Sequence, residues 1–120
     1  MIVAGFGFRT ETSLAALQDA LAQAGGAADV THLATLAAKA PSLAPLGQVL
    51  GLPVIGLPPE ALLGQPTLTR SDRVKALHGT GSVAEAAALA AAGPGARLRG
   101  NRAVSADGTA TAAIAEGPAR

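Results

Sequence analysis

Gly79-Thr80-Gly81-Ser82 runs directly into Val83-Ala84-Glu85 and an Ala/Leu series that ends at Ala92 and Gly93. Ser82 and Glu85, three positions apart, have the spacing of a capping box. The serine hydroxyl accepts from the Glu85 backbone N–H while the glutamate carboxylate reaches back to the Ser82 N–H. The helix N–H groups left over, and the positive end of the helix dipole, then face the loop of Thr80 and Gly81, which is a setting for an anion. The plain alternative is a well-capped helix that binds nothing. A second candidate lies at Gly5-Phe6-Gly7-Phe8-Arg9. The Arg9 guanidinium offers a planar fork suited to a carboxylate, and Phe8 either lies against a flat ligand or staples a helix to the core. Lys39 is a further cation for an anionic group, or a solvated surface charge.

Other chemistries find less support in the residue types. Gly5-x-Gly7 resembles the start of a dinucleotide fingerprint, but Thr10 holds the third glycine position. Asp29 precedes the second strand, where a ribose-binding acid would have to follow it. His32 and His78 have no carboxylate or cysteine at ligand spacing, so no metal is expected. Spacing assigns no serine, histidine and acid arrangement. The catalytic residue stays unassigned and no cofactor is called for.

The elements that must position these residues follow from periodicity. Ile2 to Phe6 reads as a buried first strand, with Gly7 to Thr10 as its exit loop. Ser13 to Ala24 carries Leu14, Leu17 and Leu21 at helical spacing and stops at Gly25-Gly26. Thr31 to Thr35 is a weak second strand. Ala40-Pro41-Ser42 opens a helix with Leu43, Leu46 and Leu50, closed by Gly51. Leu52 to Gly56 reads as a third strand, Pro58 to Leu63 as a helical turn, and 64–70 as a loop. Ser71-Asp72 caps a further helix that ends near His78. After the Ala-rich helix, Ala96 to Arg99 and Thr109 to Ala115 read as antiparallel strands, with Asp107-Gly108 as the turn signal. Glu116 to Arg120 is expected to fray. The expected architecture is a single α/β domain with three layers, helices on both faces of a mixed, partly parallel sheet. The turns around 5–13 and 79–85 are expected to converge at one sheet edge, where open α/β sheets bind ligands.

Composition narrows the function classes. The chain has 120 residues with a formal charge of +1, so it sets up no general field for nucleic acid or an anionic membrane. The halves differ: residues 1–60 hold Arg9 and Lys39 against four acids, while Arg70, Arg73, Lys75, Arg97, Arg99 and Arg102 make the second half basic. Nucleic-acid binding would want a denser basic face with stacking aromatics, and Phe6 and Phe8 are the whole Phe, Tyr and Trp complement. No apolar run approaches the length of a membrane span, no basic leader precedes the first strand, and cysteine is absent. A cytoplasmic protein is expected.

The residues also carry a resemblance. Val3-Ala4-Gly5-Phe6-Gly7-Phe8-Arg9 with Ser13, the Leu33-Ala34-Thr35 to Lys39 segment, Leu46-Gly47 and Leu52-Pro53 match part of a family pattern. The block from Gly79 to Leu89 and the final Thr111-Ala112-Ala113-Ile114-Ala115 complete it. Together these resemble the CobE and CbiG C-terminal domain family of cobalamin biosynthesis over nearly the whole chain. In that family CbiG proteins open a lactone ring in a cobalt-precorrin and lose a two-carbon fragment, whereas CobE is a free-standing form of the C-terminal domain. The length here matches the free-standing form, so the hydrolase activity does not carry over. Where the family has a lysine-rich stretch, this chain has Arg97-Leu98-Arg99-Gly100-Asn101-Arg102. The resemblance implies a precorrin or corrin intermediate as the anion. Its carboxylate arms would be held by Gly7, Arg9, Lys39, Thr80, Gly81 and Ser82, and its ring would meet Phe8. A binding or hand-over role is implied, with other cobalamin-pathway enzymes as partners. An enzyme acting on the macrocycle and a module that docks on a pathway enzyme are the alternatives.

Overall fold

A computed structural model describes residues 1–68 and 82–117. Six strands form one sheet: β1 (Ile2–Phe8), β2 (His32–Leu36), β3 (Val54–Leu57), β4 (Arg97–Leu98), β5 (Ala103–Val104) and β6 (Ala110–Glu116). Their order is β3-β2-β1-β6-β4, with β5 also paired to β6. The β1–β2 and β2–β3 pairs are parallel, and every pairing of β6 is antiparallel. The expected mixed sheet is present.

Three helices accompany it: α1 (Leu14–Gln23), α2 (Ala40–Leu50) and α3 (Val83–Ala92). Helices α1 and α2 connect β1 to β2 and β2 to β3, two crossovers stepping the same way across the sheet, which places both on one face. Leu17, Leu21, Leu43 and Leu46 pack there against Phe6, Leu33 and Ile114. Helix α3 covers the other face, where Ala87, Ala88 and Leu89 meet Val3, Ala34 and Ala115. These are the three layers.

Local chemistry explains most boundaries. Ser13 caps α1 by accepting from the Ala16 N–H at 3.1 Å. Gly51 ends α2 in the left-handed conformation with φ 69°, a backbone state that costs a residue with a Cβ about 1 kcal/mol or more. Helix α3 has another logic. Seven of its ten residues are alanine, so it buries little area per residue and compensates by lying close to the sheet. Gly5 of β1 makes that approach feasible, because a Cβ there would stand 2.1 Å from the Ala84 carbonyl oxygen.

Glu116, expected to begin a frayed tail, instead ends β6 opposite Ile2, and three further expectations change. First, β1 continues through Phe8, since β6 pairs with it along its whole length from Ile2↔Glu116 to Phe8↔Ala110. Gly7 and Phe8 are therefore strand residues, and the exit turn is Arg9 to Thr12, closed by the Thr12 N–H donating to the Arg9 carbonyl. Second, the Asp107-Gly108 turn joins β6 to β5, a two-residue strand too short to carry a periodic signal. Third, β3 starts at Val54, because Pro53 has no N–H to donate and its carbonyl instead accepts from Leu33. The helix expected from Ser71-Asp72 to His78 lies outside the described residues.

Candidate binding site

The carboxyl ends of β1 and β2 lie side by side, and the side chains there alternate between the two faces of the sheet. Phe8 follows Phe6 onto the α1–α2 face and is half-buried against that core. Gly7 points the other way, toward α3: a Cβ on it would sit 3.3 Å from the Val83 Cβ and 3.5 Å from the Ala84 nitrogen. The end of β1 therefore meets the first turn of α3 directly. Arg9 continues the pairing with its N–H on the Thr109 carbonyl, and its side chain is exposed.

Lys39 arrives from a 3-10 turn, Ala37–Lys39, that follows β2. That turn is seated against β3 at Gly56, where a Cβ would come within 3.1 Å of the Ala37 Cα. The Lys39 ammonium lies 5.3 Å from the centre of the Phe8 ring and 3.5 Å from the Thr10 hydroxyl. Two candidates separated by 31 positions thus come together, and Thr10 joins them. Thr10 drew notice in the sequence only for breaking a glycine spacing. Beneath the cluster, the buried Thr35 hydroxyl donates to the Phe6 carbonyl at 2.9 Å and holds the ends of β1 and β2 together.

Ser82 is fully buried, and its hydroxyl accepts from the Glu85 N–H at 3.3 Å, so the serine half of the expected capping box forms. That hydroxyl is engaged in orienting the helix. Glu85 is also fully buried, and its carboxylate accepts the Arg102 N–H at 2.7 Å. Through this bond the first turn of α3 anchors the loop between β4 and β5. The role was hidden in the sequence because a capping acid and a loop anchor have the same residue type and spacing. Thr80 and Gly81 lie outside the described residues.

The remaining electrostatics lies elsewhere. Between described residues, the ion pairs are those of Arg99 with Asp29 and Glu116. The Arg99 guanidinium grips Asp29 with two hydrogen bonds and holds its carboxyl below the usual carboxylate range. It joins the loop before β2 to the end of β6, where Glu116 faces Ile2. Asp107 is likewise lowered, first by the Thr109 N–H and then by the Ser105 and Thr109 hydroxyls. An open cleft of about 340 Å³ lies at the carboxyl end of α3, lined by Leu89, Gly93, Pro94 and Gln65 among others and by no charged side chain among the described residues. The cleft is at the opposite end of α3 from the turn that meets Gly7. Among the described residues, no three His, Cys, Asp or Glu side chains converge as metal ligands, and no helix is long and apolar enough to cross a membrane.

The profile of the family described as Cobalamin synthesis G C-terminus matches residues 2–115. The chain belongs to this family. Solved structures share its fold, among them these two. The crystal structure of CobE, a protein from the cobalamin (vitamin B12) biosynthetic pathway, is 34% identical with a TM-score of 0.78, covering 96% of this chain and 89% of that one. The cobalamin biosynthesis protein chiG from Agrobacterium tumefaciens str. C58 is 35% identical with a TM-score of 0.74, covering 99% of this chain and 100% of that one. No curated protein matches the chain. The family assigns it to cobalamin biosynthesis, and the fold around Gly5, Phe8 and α3 is that of the CobE and CbiG C-terminal domain.

Proposed function

We propose that this protein binds a precorrin or corrin intermediate of cobalamin synthesis at the carboxyl end of its parallel strands, and holds it for a pathway enzyme. The observation that carries the reading is the meeting of the Lys39 ammonium with the Phe8 ring beside Arg9, while Gly7, facing the other side of the sheet, meets the first turn of α3 at the same end of β1. Family membership supplies the pathway, and the edge supplies complementary chemistry. Precorrins present a broad apolar ring with acetate and propionate arms. The ring suits Phe8, while the arms suit Arg9, Lys39 and the backbone N–H groups of Thr80, Gly81 and Ser82. A cytoplasmic location and partnership with other pathway enzymes accompany this reading.

Titration with a corrinoid bearing free carboxylates, followed by its visible absorption, tests it. The chain has no Trp or Tyr, so near-ultraviolet overlap from the protein is slight. A saturable spectral shift is expected, and Arg9→Ala should weaken binding about fivefold or more, as loss of one charge-assisted contact at a partly exposed site predicts. Failure of the wild-type chain to shift the spectrum or co-elute with the corrinoid would favour an interaction module. Turnover of the macrocycle by the isolated chain would place it among the enzymes.

A further inference from the structure

Lys39 is a cation with a definite place and no carboxylate partner among the described residues. Its turn is wedged against β3 by the tight approach at Gly56, which fixes the backbone from which the side chain extends. The ammonium rests over the face of the Phe8 ring and reaches toward the Thr10 hydroxyl, at the outer limit of a hydrogen bond. Both contacts are weak beside an ammonium–carboxylate bond, and they cover the ring face that a flat ligand would use.

We infer that Lys39 and Phe8 form an exchangeable clamp that selects flat macrocycles carrying carboxylates at the rim over the same macrocycles with amides there. The inference rests on the binding role proposed above and names its selectivity. In the free protein the ammonium covers the ring. On binding, the macrocycle takes the face of Phe8 and the ammonium moves outward onto a rim carboxylate, with Thr10 beside it. A ligand with amides at the rim displaces the ammonium equally but offers it no anion. It therefore loses the cation–π contact and receives no ion pair in return.

The test compares dicyano-cobyrinic acid, with free carboxylates, and dicyano-cobinamide, with amides, as ligands for the wild-type chain, Lys39→Met and Phe8→Leu. Methionine keeps an apolar stem and removes the charge. The wild-type chain is expected to prefer the acid. Lys39→Met should weaken the acid about tenfold, the value of one charge-assisted contact. The amide form should bind Lys39→Met as well as it binds the wild-type chain, or better, because the ring is no longer covered. Phe8→Leu should weaken both ligands. Without ligand, Lys39→Met should also shift the Phe8 ring resonances in a proton NMR spectrum. If Lys39→Met changes neither affinity, or changes both equally while the wild-type chain still binds, the clamp is overturned and the binding role stands. If the wild-type chain binds neither corrinoid, the binding role is overturned and the clamp with it.

Discussion

Replacing Gly5 by alanine puts one methyl group where the structure has no room for it. The new Cβ would stand 2.1 Å from the Ala84 carbonyl oxygen, 2.5 Å from the Ala88 nitrogen and 2.9 Å from the Ala88 Cβ. Two of these three atoms are helix backbone, so no side-chain rotation relieves the contact, and α3 must move away from β1 as a body. Restoring even a tight contact requires roughly 1 Å of separation, and a gap of that size forfeits between about a quarter and a half of each dispersion contact across the layer. The residues affected include Ala84, Ala87, Ala88 and Leu89, which are buried. The expected destabilisation is about 3 kcal/mol, the upper end for overpacking, out of a total of roughly 5–15 kcal/mol for a domain. The midpoint of thermal unfolding should drop on the order of 10 °C. Urea unfolding should be followed by far-ultraviolet circular dichroism, because the chain lacks the Trp and Tyr that fluorescence would need. Gly100→Ala is the matched control, since a Cβ there meets nothing within 4 Å, and it should change stability by no more than about 0.5 kcal/mol. A Gly5→Ala chain as stable as Gly100→Ala would refute the close approach of helix to strand on which the architecture depends.

Acidification and the buried glutamate supply two more expectations. Asp29 and Asp107 both have folded-state pKa values below the ordinary 3.8, held down mainly by the Arg99 hydrogen bonds and the Thr109 N–H respectively. Their contribution to stability is therefore full above about pH 4 and is lost as the pH falls through the lowered values. Asp29→Asn should be less stable than wild type at neutral pH and lose less on acidification, with the two stability curves converging in acid. Parallel curves would show that the Arg99 pair does not couple to folding. Glu85→Ala, which leaves a cavity and an unpaired Arg102 N–H, should cost about 2 kcal/mol or more and speed hydrogen exchange at Arg102. An unchanged exchange rate there would show that the carboxylate does not anchor the loop.

Much of the framework was legible along the chain. Ser13 and Ser82 marked helix starts because an N-cap is a bond between residues three apart, readable without any partner from elsewhere. Gly51 and Gly108 marked stops and turns because their left-handed backbone, φ 69° and 76°, favours glycine at positions set by local geometry. The two-residue strands β4 and β5 were harder. The first was expected two residues too long and the second was missed, since their existence rests on pairing with β6. The Gly5-x-Gly7 motif shows the limit from the other side. Its spacing invited a phosphate-binding reading, whereas in the fold Gly5 admits α3 and Gly7 admits Val83 and the Thr111 hydroxyl.

By itself, then, the sequence determined the kinds of elements, their caps and breaks, the α/β class and the family, because each of these depends on residue types at short spacing or on a whole-chain pattern. Tertiary structure alone decided that β6 inserts beside β1, that Lys39 rests on Phe8, and that Glu85 reaches Arg102. Those meetings span 17 to 114 positions in the chain, and strand order and register set them through packing between layers, which no local preference encodes.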